Sequence, residues 1–190
     1  LDLTNEWYTY EDAIDKTTCN KIVKLANKDF DKGTVHEDSS YKVTSTRVSD
    51  IFWTQEQWLY DLIWPYMEDA NKQSGWQYEI SGAEPLQITR YKKGGYYDFH
   101  KDGKSDNLST FEDGKIRKLS MSILLNNSYN DGQFQFATLS PQAKSGIHTP
   151  KLNSTGSVIV FPSFMCHRVK PVTRGVRYSL VAWFVGQPFK

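Results

Sequence analysis

The chain has almost nothing with which to cross-link or anchor itself. Only two cysteines occur, Cys19 and Cys166, so neither a disulfide framework nor a zinc knuckle is available, and a reducing compartment fits. No apolar run approaches the roughly 18 residues of a membrane span, and no basic-then-apolar leader opens the sequence, which begins at Leu1 as a trimmed chain would. The expectation is a soluble, cytoplasmic protein without a membrane partner. Charge of one sign is also missing: 23 Lys and Arg stand against 22 Asp and Glu, leaving +1. Without a global basic field, nucleic-acid binding by bulk charge is excluded. There is no internal repeat, no low-complexity tract and no linker long enough to divide the chain.

What is abundant is large apolar side chain. The chain is 38% hydrophobic and holds 10 Phe, 11 Tyr and 6 Trp, a composition that excludes general disorder. Its 190 residues predict one domain, spanning 1–190, with helical support over about 11–75 and a strand-rich core over about 76–187.

Two helices are expected in the first part. After Asp15 as N-cap, Cys19, Ile22, Val23, Ala26 and Phe30 recur at spacings of three and four, with Gly33 as the stop. A second helix begins at Thr54, with Gln57 in capping-box position, and runs through Trp58, Leu59, Leu62, Ile63, Tyr66, Met67 and Ala70 to Ser74-Gly75; Pro65 predicts a kink or an early break. From Trp76 the period changes to two, with strands expected over 85–91, 119–125, 133–138, 157–161 and 177–185. Strands following two helices predict an all-β sandwich or barrel with helices packed outside it. The polar connection over 103–115 reads as a mobile loop.

Four histidines are present, and one lies in the run Tyr97-Asp98-Phe99-His100-Lys101-Asp102. Residues two apart on a strand share a side, so His100 and Asp102 face one space. His167 follows the apolar strand 158–161, where an antiparallel barrel can bring it opposite that pair. Two imidazoles and one carboxylate on a single face of a metal leave three positions open, the arrangement used by non-haem Fe(II) oxygenases. Ten residues after His167, Arg177 shares a strand face with Ser179 and Trp183. A planar guanidinium beside a hydroxyl suits bidentate capture of a carboxylate, such as the distal one of 2-oxoglutarate.

These stretches have a family likeness. Glu84-Pro85-Leu86-Gln87-Ile88-Thr89-Arg90-Tyr91, Gly94-Gly95 and Tyr97 lead to His100 and Asp102. Then come Arg117-Lys118-Leu119-Ser120-Met121-Ser122, Tyr129-Asn130-Asp131-Gly132, Gly156-Ser157-Val158-Ile159-Val160-Phe161-Pro162-Ser163 with His167, and Pro171-Val172-Thr173-Arg174-Gly175-Val176-Arg177. In order and spacing the sequence resembles the Fe(II)- and 2-oxoglutarate-dependent dioxygenases of the prolyl 4-hydroxylase-like superfamily, PKHD-type hydroxylases in particular. The likeness spans about 84–185, with a looser match through Arg47, Ser49 and Trp53.

The resemblance implies a double-stranded β-helix, or jelly roll, mainly β with N-terminal helices. It implies Fe(II) on His100, Asp102 and His167, and 2-oxoglutarate on Arg177 with Tyr91 and Ser179. Arg117 matches a position that holds peptide substrate, with Lys118 as the competing choice, and Tyr97, Trp183 and Arg47 are assigned to the same substrate wall. O2 is the co-substrate and ascorbate a family reductant; succinate and CO2 are the coproducts. The expected partner is a peptide or protein containing proline. A free amino acid or other small molecule on the same scaffold, or a catalytically silent jelly-roll binding module, are the alternatives. The segment 41–51 reads equally as a lid over the substrate or an ordinary loop, His148 as a surface loop residue, and Cys166 as a packed small apolar side chain. Many relatives have Gly-Gly in the strand region where this chain has Asp131-Gly132-Gln133, a change expected to touch a turn and leave the metal alone. Metal affinity is expected to fall as pH drops through the histidine range near ~6.5.

Overall fold

Asp15 caps the first helix as its sequence position requires: its carboxylate accepts the Thr18 amide at 2.9 Å. Residues 5–26, 30–33, 35–37, 40–42, 45–103, 114–138 and 146–189 are described by a computed structural model. Its helices are α1 (Lys16–Leu25) and α2 (Gln57–Gln73). Its strands are β1 (Tyr8–Tyr10), β2 (Asp31–Lys32), β3 (Val35–Glu37), β4 (Ser40–Lys42), β5 (Arg47–Val48), β6 (Asp50–Thr54), β7 (Gly82–Ala83), β8 (Leu86–Tyr91) and β9 (Tyr96–His100). They continue with β10 (Ile116–Leu124), β11 (Tyr129–Asp131), β12 (Phe134–Ala137), β13 (Ile147–His148), β14 (Val158–Pro162), β15 (His167–Val169), β16 (Val172–Gly175) and β17 (Arg177–Gly186).

The strands form two main antiparallel sheets, ordered β1-β14-β10-β17-β8-β6-β2 and β13-β12-β15-β9-β5. From β8 onward the chain alternates between them: β8, β10, β14 and β17 lie in the larger sheet, and β9, β12, β13 and β15 in the smaller. That alternation is the double-stranded β-helix expected from the resemblance.

Period-two burial divides the larger sheet into two faces. Leu86 and Ile88 of β8, Val158 and Val160 of β14, and Leu180, Ala182 and Phe184 of β17 pack in one core with Leu59, Ile63, Met67 and Ala70 of α2 and Cys19 and Ile22 of α1. The α2 residues are three or four apart, so one helical face is buried. Ile159 and Phe161, one step out of phase, turn inward to a second core with Tyr91, Phe134, Phe136, Val169 and Val172.

The N-terminal part departs from expectation. The first helix ends at Leu25, and Phe30 instead stands under the Arg90 guanidinium, 4.0 Å from its ring centroid. Asp31 and Lys32 pair with Ile51 and Asp50, so strand pairing overrides the helical period. Thr54 pairs with Leu86 as the last residue of β6, and α2 starts three residues later with Glu56 as N-cap. The helix then passes Pro65 without a break. Five strands, β2 to β6, thus fall within the stretch expected to be helical support. Half of the segment 41–51, read equally as a lid or an ordinary loop, is strand, because β5 joins the smaller sheet through β9 and β6 joins the larger through β8. Most of the loop expected to be mobile, residues 104–113, lies outside the described residues. Among the described residues no helix is long and apolar enough to cross a membrane.

Candidate active site

β15 lies antiparallel to β9 with His167 directly opposite His100. Asp102 follows two residues after His100, its amide donating to the Ser163 carbonyl at 3.0 Å, which ties it to the end of β14. The result is a cluster: Asp102 Oδ1 lies 3.7 Å from His100 Nε2, and Oδ2 lies 3.7 Å from His167 Nε2. The three donor atoms lie within 4.8 Å of one another, within reach of one ion.

Tautomer and charge favour cation binding. The His100 Nδ1–H donates to the Asp98 carbonyl at 2.7 Å and the His167 Nδ1–H to the Met165 carbonyl at 2.9 Å. A carbonyl only accepts, so the proton sits on Nδ1 and each Nε2 turns its lone pair to the cluster. Burial, with His167 alongside, pushes the His100 imidazole down to about 3, so it is neutral at pH 7. Burial works to raise the Asp102 carboxyl. The imidazoles of His167 and His100, the Arg117 guanidinium and the Ser120 hydroxyl nevertheless hold it below its usual range. Two imidazole nitrogens and one carboxylate form the donor set that a divalent iron site needs.

Aromatic rings fix the imidazoles in place. Tyr97 stacks on His100 at 3.4 Å between centroids, and Phe134 and Phe161 contact His167 at 5.3 and 4.8 Å. These rings, with Gln87, Thr89, Tyr91, Ser179 and Trp183, bound a narrow cleft.

Arg177 begins β17 opposite Tyr91, and its Nη1 donates to Ser179 Oγ at 3.2 Å, so the shared face expected for Arg177 and Ser179 is present. The guanidinium is only 2% exposed, and its Nε has no acceptor among the described residues. A buried, unpaired cationic donor is costly unless an anion completes it, so this position fits a ligand carboxylate. Trp183, on the same face, likewise buries an indole N–H without an acceptor among the described residues.

The remaining expected residues have more particular surroundings. Arg117 binds both oxygens of Glu84, through Nε at 2.7 Å and Nη2 at 2.5 Å, and lies over Trp183 at 4.0 Å. Lys118, its competitor, packs its Nζ 3.6 Å from the Phe189 ring, since adjacent strand residues point to opposite faces. Arg47 lines the cleft but donates to Gln87 at 2.6 Å and Ser49 at 2.8 Å and stands 4.7 Å from the Tyr97 ring centroid. His148 is not a loop residue: it is half-buried in β13, opposite Phe136 and against the Trp7 ring at 4.6 Å. Gln87, Thr89 and Phe134 were not anticipated in the site. Gln87 and Thr89 share the parity of Tyr91 on β8, and that signal was available in the sequence.

Comparison with known proteins agrees with this geometry. The family model for the 2OG-Fe(II) oxygenase superfamily matches residues 86–185. A protein of Acanthamoeba polyphaga mimivirus, provisionally named as a prolyl 4-hydroxylase, is 30% identical over 206 residues, covering 99% of this chain and 77% of its own length. A PKHD-type hydroxylase of Cupriavidus metallidurans is 33% identical over 102 residues, 52% of this chain and 42% of that protein, so less than half of that relative is represented. Among solved structures, a prolyl hydroxylase from Trichoplax adhaerens, in complex with a hypoxia inducible factor peptide fragment, superposes with a TM-score of 0.71. It is 19% identical, with 95% of this chain and 84% of that one covered. Family match, fold and donor chemistry converge: the chain belongs to the 2OG-Fe(II) oxygenase superfamily, enzymes that use Fe(II), 2-oxoglutarate and O2.

Proposed function

We propose that this oxygenase hydroxylates a peptidyl residue, proline foremost, with release of succinate and CO2. The observation that carries the reading is the cleft itself. One wall bears the His100, Asp102 and His167 donors, the facing sheet lines it with Tyr91 and Ser179, and the buried, incompletely paired Arg177 stands directly behind these two, donating to Ser179.

In this reading His100, Asp102 and His167 hold Fe(II). Arg177 receives the distal carboxylate of 2-oxoglutarate, with the Tyr91 and Ser179 hydroxyls adding hydrogen bonds. The bound iron and 2-oxoglutarate supply the oxidising chemistry that an unactivated C–H bond requires. The protein's own contribution is position and dryness. Tyr97, Phe134 and Phe161 fix the imidazoles and keep bulk water from the donors. Arg117, held by Glu84, presses on Trp183, and the unpaired indole N–H is the donor offered to a substrate carbonyl. Tyr97 and Arg47 close the same wall. The peptide-bound Trichoplax relative and the mimivirus protein's prolyl 4-hydroxylase name support a proline-containing substrate.

The test is succinate formation from 2-oxoglutarate and Fe(II), comparing the native protein with His167→Ala. Slow native turnover that vanishes in the variant is expected, and stimulation by a proline-rich peptide follows. Stimulation by free proline alone would overturn the peptidyl assignment.

A further inference from the structure

Beside the cleft, the described residues form a second hollow of different chemistry. β2, the β5–β6 segment and the turn from β8 to β9 bring Lys32, Arg47, Arg90, Lys92 and Lys93 around one open hollow. The one acidic residue among those described as lining it is Asp50. On a chain whose formal charge is +1, this concentrates cations on one side and leaves the rest of the molecule net acidic.

Strand register builds the cluster. Lys32 pairs with Asp50 across β2 and β6, and Asp50 pairs with Arg90 across β6 and β8. One oxygen of Asp50, Oδ2, accepts Arg90 Nε at 2.9 Å and Nη2 at 2.8 Å and lies 3.1 Å from Lys92 Nζ. A carboxylate is therefore already seated on these cations. Lys32 and Lys93 are exposed and make no ion pair among the described residues. Arg47 lines both this hollow and the catalytic cleft, so the two adjoin at its side chain.

We propose that this hollow receives acidic side chains flanking the target residue, making the substrate a peptide with aspartate or glutamate on one side of the hydroxylated position. The inference rests on the peptidyl reading above and deepens it. Single exposed ion pairs contribute little, but several cations around one concavity select the sign of a partner and accelerate its encounter.

Two labelled peptides of equal length test it, each with a central proline and with three aspartates or three lysines on one flank. Binding is read by fluorescence anisotropy on the protein loaded with Fe(II) and 2-oxoglutarate in the absence of oxygen. The aspartate peptide is expected to bind about tenfold more tightly. The preference is expected to disappear in the Lys32→Glu/Lys93→Glu double variant, and also at about 1 M salt, where charges are screened within about 3 Å. Equal affinity for both peptides, or a preference that survives in the double variant, overturns the proposal. So does displacement of the aspartate peptide by inorganic phosphate beyond that by sodium chloride at matched ionic strength, which reassigns the hollow to phosphate. Succinate formation without peptide is measured in parallel and is expected to be native in the double variant. Its absence from the native protein, with the peptide preference intact, sinks the catalytic reading and leaves the acidic-peptide site standing.

Discussion

The ring of Tyr97 lies flat on the imidazole of His100, with centroids 3.4 Å and planes 10° apart. The same phenol carries the Arg47 guanidinium 4.7 Å from its centroid, and burial raises its hydroxyl to about 12, so it stays neutral. Tyr97 thus orients a donor without competing for the ion. Tyr97→Ala is expected to weaken Fe(II) binding by about tenfold, the usual cost of losing an outer partner of a metal ligand. Tyr97→Phe keeps the stacked ring and is expected to bind within about twofold of native. Calorimetric metal titration under anaerobic conditions distinguishes the two.

Arg177 tests the carboxylate assignment. Arg177→Lys keeps the charge but loses the planar fork, and Arg177→Gln loses both. The apparent KM for 2-oxoglutarate is expected to rise on the order of 100-fold in Arg177→Gln and only partly recover in Arg177→Lys. A KM that does not move in either variant would remove Arg177 from the site.

Bound metal is expected to stabilise the fold. A ligand that binds only the folded chain adds about 2.7 kcal/mol at 100 times its Kd. Mn(II) should therefore raise the melting temperature of the native protein and leave that of Asp102→Ala unchanged. Equal shifts in both would place the ion elsewhere.

Alkaline stability is expected to depend in part on Cys19. This thiol is fully buried in the helical core, and burial, followed by the nearby Asp15 charge, pushes it up to about 11 from an ordinary value near 9. The unfolded chain loses the proton near 9 while the folded chain keeps it, so the contribution is complete below pH 9 and is lost as pH rises from 9 to 11. The slope is about 1.4 kcal/mol per pH unit over that window. Cys19→Ala should flatten it in urea unfolding followed at several pH values, and an unchanged slope would show that other groups set the alkaline limit.

Gly156, just before β14, packs against Ile14, just before the first helix. Its φ is +88°, the Ile14 amide donates to its carbonyl at 3.2 Å, and an added Cβ would meet the Ile14 carbonyl oxygen at 1.8 Å. Gly156→Ala is expected to cost about 3 kcal/mol or more, since backbone must move. Gly94, at φ +81° with nothing within 4 Å of such a Cβ, meets only conformational strain, about 1 kcal/mol. Chemical denaturation of the two variants should show this ordering.

Much of this protein was determined by local pattern alone. The α2 face, the period-two strands from β8 to β17, the shared side of His100 and Asp102, and the adjacency of Arg177 and Ser179 all follow from side-chain direction, which sequence spacing dictates. Short-range pattern misjudged residues 30–54, because Phe30, Asp31 and Thr54 took their conformation from partners distant in the chain. The pairing of His167 with His100 depends on register between strands more than 60 residues apart, and the basic hollow depends on three strands meeting at Lys32, Asp50 and Arg90. Periodicity sets which way a side chain points; only hydrogen-bonded register between distant strands sets what it points at.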